Sequence, residues 1–261
     1  KNIESKINES ISEFDKSGIT VTSTSKVNYL NTTFNGKITI NDIFDLVDNL
    51  SKNHLDKSYT SKLQKLVNDL NSREKREIKQ LFNGTEVIYT STIDNINPKP
   101  FVIGHISKLS NTIDNNMKIE LSKNDVSPIA KKISSMIKDK KLGFVFENNR
   151  LNIKDINETI KRDNDKLDFN LKGLNFGEKD STLGNLNFNL KTRRDSVKIN
   201  LDKLRINYDI KNSKNYKNDI SIDKLLLFSK NEVNLTIENF YTDSSLETNT
   251  GRSLINFSFS F

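Results

Sequence analysis

Three stretches toward the end of the chain repeat one pattern: Phe169-Asn-Leu171-Lys-Gly-Leu174-Asn-Phe176, Ile199-Asn-Leu201-Asp-Lys-Leu204-Arg-Ile206 and Ile220-Ser-Ile222-Asp-Lys-Leu225-Leu-Leu227. Each alternates apolar and polar residues, takes in one extra polar residue, and resumes alternation in the opposite phase. Side chains in a strand have a period of two, so a slip of one residue sends the apolar set to the other face unless a bulge or tight bend absorbs it. Such devices bend and twist a sheet. The pattern therefore predicts a long, strongly curved antiparallel sheet, open and half-barrel-like, with an apolar face that is either concave or covered.

The totals agree with a sheet wetted on one side. Only 34% of the 261 residues are hydrophobic and the mean hydropathy is -0.62, yet the apolar residues are periodic, which argues against disorder. Parallel doubly wound sheets need unbroken apolar strands, and neither G-x-G-x-x-G nor G-x-x-x-x-G-K-[ST] occurs to support a nucleotide-binding fold. The fold class expected is α+β, mainly β: the curved sheet, several helices packed on it, and an N-terminal helix. One elongated domain over 1–261 is expected, helix-rich over 1–84, mixed over 85–165 and all-β over 166–261.

Taken in order, Ile3, Ile7, Ile11 and Phe14 mark an amphipathic helix over 1–17. Thr20 onward is strand-forming, and Asn35-Gly36 inside Val27 to Ile40 is a hairpin signal. Asn41 or Asp42 can cap a helix carrying Ile43, Leu46, Val47 and Leu50, and Leu63, Leu66, Val67 and Leu70 mark a second. The charged run Ser72 to Glu77 interrupts that apolar face before Ile78, Leu81 and Phe82 restore it, and Gly84 ends the region. Thr85 to Asn95, Val102 to Leu109 and Met117 to Leu121 read as strands, while Ser127-Pro128 opens a helix with Ile129, Ile133, Met136 and Ile137 on its buried side. Leu142 to Phe146 and Arg150 to Ile153 read as a hairpin about Asn148-Asn149, and Asp155 with Glu158 as a capping box for a short helix to about Lys161. Beyond it every segment is strand.

The sequence holds little that points to chemistry. There is no cysteine, which excludes disulfides and thiolate metal sites. His54 and His105 sit in contexts that suggest no shared site, and no G-x-S-x-G elbow accompanies them. Asp163-Asn-Asp165 starts like a calcium loop, but Leu167 takes the next ligand position. Neither catalysis nor a cofactor is expected. The net charge of +7 comes from 41 basic residues interspersed with 34 acidic ones, which fits a solvated surface better than a nucleic-acid footprint. No stretch approaches the ~18 apolar residues of a membrane helix.

The opening helix, followed by Asp15-Lys-Ser-Gly-Ile19-Thr-Val and Tyr29-Leu-Asn-Thr-Thr-Phe34-Asn-Gly36, resembles the start of YdgA-like and AsmA-like bacterial envelope proteins, and the later strand units resemble the repeats of that broad group. Composition and layout are also similar to JlpA-type surface lipoproteins, which form an open half-barrel with an apolar basin. The resemblance implies a protein of the bacterial cell envelope, periplasmic or outer-surface, held at a membrane by an N-terminal anchor preceding Lys1. It supplies no catalytic motif.

Together these readings predict a non-enzymatic envelope protein whose apolar sheet face binds lipid or another hydrophobic ligand. By alternation the inward residues are Phe169, Leu171, Phe188, Leu190, Ile199, Leu201, Ile220 and Ile222. The alternative is a surface adhesin or envelope assembly component that uses the sheet to bind a protein partner. No nucleic-acid partner and no metal are expected in either case.

Overall fold

The computed structural model describes residues 17–54, 57–212, 215–230, 233–247 and 252–260, so the helix expected over 1–17 falls outside them but for Ser17. The chain is mainly β, all its ladders are antiparallel, and the sheet does not close into a barrel. Chain contacts divide it into two compact units, Lys1–Asn148 and Asn149–Phe261.

The first unit pairs β1 (Ile19–Val27), β2 (Asn31–Ile40), β3 (Glu86–Asp94), β4 (Pro100–Lys108) and β5 (Gly143–Glu147) in that order. Between β2 and β3 run α1 (Ile43–His54), α2 (Lys57–Asp69) and α3 (Ser72–Phe82); between β4 and β5 run α4 (Asn111–Leu121) and α5 (Pro128–Lys138). Asp42 caps α1 by accepting from the Phe44 N–H at 2.9 Å and pairs with Lys79 of α3 at 2.5 Å. The charged run beginning at Ser72 does not interrupt a helix but starts one: Asn71 and Glu74 form a reciprocal capping box. The core here is small, with Ile19, Phe34 and Ala130 buried beside Ser17, Thr32, Ser51, Thr85 and Ser110.

Three local expectations fail in this part of the chain and beside it. Asn35-Gly36 is not a turn, because β2 runs straight through it; the connection from β1 is at 28–30, closed by Asn28 N–H donating to the Asn31 carbonyl at 2.8 Å. Glycine is needed at 36 for close approach, since a Cβ there would meet the Thr22 carbonyl and the Tyr89 ring. Met117 to Leu121 is helix rather than strand: Ser110, fully buried, accepts from the Ile113 N–H and starts α4, and the Asp114–Lys118 pair at 2.7 Å supports it one turn on. The short helix from Asp155 is instead strand β7 (Ile156–Arg162). The Asp155 carboxylate accepts from the Gly173 N–H at 2.9 Å, so it holds a neighbouring strand rather than a helix end.

The second unit is a sheet of long strands, with no helix among its described residues. Its path is β6 (Arg150–Ile153), β9 (Asn175–Phe176), β10 (Asp180–Lys191), β11 (Ser196–Asn212), β12 (Asn215–Ser229), β13 (Val233–Glu247) and β14 (Arg252–Ser260). β7 and β8 (Asp165–Lys172) continue the same rows, β8 pairing with β10 and β7 with β8.

The phase slip lies at one level across this sheet. Leu183 faces Leu204 and Asn185 faces Asp202, so Gly184 and Lys203 fall opposite each other. Asp202 faces Lys224 and Leu204 faces Ile222, which puts Asp223 in the same row, and Asn239 follows it between Glu238 and Phe240. β8 and β9 break at Gly173, β6 and β7 at Lys154-Asp155. Since neighbouring strands skip the same number of residues, no register shift arises at this level on β10, β11 or β12. The device is a bend shared by the strands, not a set of bulges. Gly173, Lys203 and Asn239, on alternate strands, have φ of 63°, 49° and 52°, and this departure from the pleat is what lets the alternation change phase.

Candidate functional site

Six of the eight predicted apolar residues come together on one face of the sheet. Phe169 faces Phe188, and Phe188 faces Ile199; Leu227 and Leu235 extend that rung across β12 and β13. Leu171 and Leu201 share the next rung with Leu186, Leu225 and Ile237, while Leu190 sits with Leu167 and Val197. Residues two apart on a strand lie on the same side, so these rungs form one continuous apolar surface. Ile220 and Ile222 lie across the bend. They pair with Ile206 and Leu204, in rungs with Thr242 and Phe240.

Pattern reading on three repeats missed three more copies of the bend. Ile153-Lys-Asp-Ile156, Leu183-Gly-Asn-Leu186 and Ile237-Glu-Asn-Phe240 have the same spacing of two polar residues between two apolar ones. Their signal was present in the sequence but lacked the longer flanking alternation. Leu183 is the one buried hydrophobic side chain among the described residues of this unit, 7% exposed; the predicted eight are all half-buried.

The opposite face is polar and bonded internally in part, the side-chain oxygens of Asn170 and Asn189 being buried without a hydrogen-bond partner. Asn157, Asn170, Asn187 and Asn200 form one rung. Asn185 and Asn200 both donate to the Asp202 carboxylate, at 2.5 and 2.6 Å, and Lys224 pairs with Glu238 at 2.7 Å. Thr159 donates to Asp168 at 2.6 Å; the Lys166 ammonium and this hydroxyl hold the Asp168 carboxyl below its usual range. Leu226 and Phe228 are exceptions on this side, paired with Asn200 and Lys198. The Lys198 ammonium lies over the Phe228 ring, 5.9 Å from the centroid.

At the bend, Gly173, Asn175, Thr182, Lys203, Arg205, Ser221 and Asp223 line an open groove of about 580 Å³ with Leu183 and Leu204. Lys203 and Asp223 pair across it at 2.9 Å, and the carboxylate raises the lysine's pKa. This groove is polar, unlike an acyl basin. One end of the sheet is clamped by Arg150, which donates to both Asp180 oxygens at 2.5 and 3.2 Å and to the Asn175 carbonyl at 2.5 Å, and by the Tyr208 hydroxyl, which donates to the Gly177 carbonyl.

No group of three or more potential metal ligands converges among the described residues. His105 sits half-buried within β4, and α1 ends at His54. No helix among the described residues is long and apolar enough to cross a membrane. No protein-family model, curated protein or solved structure matches the chain.

Proposed function

We propose that the chain is a non-enzymatic protein of the bacterial cell envelope whose 149–261 sheet holds lipid acyl chains, or a chemically similar hydrophobic ligand, on its apolar face. The observation that supports this is a continuous apolar surface, from Leu167 to Ile237, with no described helix in its own unit and with side chains that stay half-buried. Soluble proteins seldom leave so large a patch uncovered unless something binds it. Each methylene removed from water there contributes up to about 0.8 kcal/mol, so even partial burial of an acyl chain gives useful affinity. The likeness of the opening residues to YdgA-like and AsmA-like proteins, and of the layout to JlpA-type lipoproteins, points the same way and carries an N-terminal membrane anchor with it.

Native mass spectrometry after gentle extraction tests this. The expected result is a bound lipid mass together with uptake of an environment-sensitive apolar dye; a chain that carries no lipid and leaves the dye dark overturns it. A second reading, an adhesin or assembly component, is favoured by the edge at β14, which pairs only with β13 among the described residues. That strand is a template for β-addition by a protein partner, and a pull-down that survives lipid removal separates the two.

A further inference from the structure

The ends of the second unit's sheet differ in charge. Following the strands, the turns at 163–164 and 192–195 and the end of β12 beside Lys230 fall at one end, and the turn at 177–179, the end of β11 and the start of β14 at the other. Around the first set, the described residues 161–166, 191–195 and 230 hold seven Lys and Arg against three Asp and Glu. Around the second, the described residues 177–180, 209–212, 215–217, 243–247 and 252 hold four Lys and Arg against five Asp and Glu. The apolar face is exposed at the first end: Val233 is 45% and Leu235 39% exposed, and they continue the rungs of Leu190 and Phe188.

Among the basic groups there, Lys166 is paired with Asp168 at 2.7 Å. Lys191, Arg193, Arg194 and Lys230 are exposed, and Arg194 donates only through its backbone, to Thr192 at 3.3 Å. Arg193 and Arg194 line an open cleft of about 360 Å³ with Asp163, Asn164, Asp165 and Thr192. Two carboxylates in that cleft make it a poor cage for a single phosphate. Charge spread along several turns, next to exposed aliphatic side chains, suits a surface that is itself anionic above and apolar beneath.

We infer that this end of the sheet docks on the headgroup layer of an anionic phospholipid bilayer, setting the apolar face next to the acyl region. The inference rests on the proposed lipid binding but adds a partner and an orientation. The turn lysines and arginines meet the headgroup phosphates while Val233 and Leu235 reach below them, the division of labour that long basic side chains support at an interface.

Co-flotation of the whole chain with vesicles containing about one-third phosphatidylglycerol, an amount that gives a strongly negative surface, tests the inference. The expected result is salt-sensitive flotation, reduced by roughly tenfold or more in the Arg194→Glu, Lys230→Glu double variant. Lys179→Glu with Lys217→Glu, the same charge change at the other end, is expected to leave flotation within about twofold. Neither pair includes a side chain that bonds within the described residues, and circular dichroism checks that both fold. Equal loss in the two double variants, equal flotation on neutral phosphatidylcholine vesicles, or no flotation overturns the docking. Bound lipid, measured by native mass spectrometry on the same samples, keeps that failure separate from failure of lipid binding itself.

Discussion

Lys203 and Asn239 sit in the left-handed region, where a residue other than glycine is strained by roughly 1 kcal/mol or more. Asparagine tolerates it through its short polar side chain; lysine does not have that recourse. Lys203→Gly is therefore expected to be neutral to stabilising by up to about 1 kcal/mol, because the exposed pair with Asp223 that it gives up is worth little. A β-branched residue at either position is expected to cost about 2 kcal/mol, and urea unfolding of the two series checks both directions. Asp42 supplies a pH-dependent counterpart. Its partial burial raises its pKa, but the Lys79 ammonium and the Phe44 N–H outweigh this and leave the carboxyl below its usual range. A lowered folded-state pKa stabilises the fold above the ordinary carboxylate value, and this is lost as pH falls through the folded one. In Asp42→Asn, acid-induced loss of melting temperature below about pH 4 is expected to be shallower, and neutral-pH stability lower by under about 1 kcal/mol, because asparagine still caps the helix and only the charge pair with Lys79 is lost.

Among elements, α4 shows how a cap can override local pattern. Ser110 accepts from the Ile113 N–H and donates to the Gln80 carbonyl of α3 at 2.5 Å, so it both starts the helix and ties it to the one before. Ser110→Ala is expected to cost about 1–2 kcal/mol, with faster amide hydrogen exchange confined to the start of α4. Read along the chain, Met117 to Leu121 alternates well enough to pass for strand; the cap that starts the helix is Ser110, held in place by the bond it donates to the Gln80 carbonyl. Asn35-Gly36 was misread for a related reason, since the same dipeptide that suits a tight turn also suits a mid-strand site pressed by Thr22 and Tyr89. The bend escaped detection on β6–β7, β10 and β13 because its apolar pairs there lack long flanking alternation.

Across the whole molecule, apolar side chains differ in how far they are covered. Leu183 is buried and Phe188 is half-buried. Leu183→Ala is expected to destabilise by about 2–4 kcal/mol, whereas Phe188→Asn should cost less than half of that while reducing apolar-dye fluorescence. Equal destabilisation by the two, with no change in dye signal, would mean that the face around Phe188 is packed rather than open. The same comparison applies to Leu201 and Leu225, which share the rung nearest the bend.

The residues alone specified strands, their two faces and a break in phase, because each depends only on neighbours along the chain and on the period of two that a pleat imposes. They also specified α1 and α5, whose caps at Asp42 and Ser127-Pro128 are local. The alignment of Gly173, Gly184, Lys203, Asp223 and Asn239 into one row was decided only by the pairing of strands. Register is a property of two segments at once, so no single stretch carries it. The same pairing separated Ile220 and Ile222 from the other six apolar residues, and gathered basic turns distant in sequence at one end of the sheet.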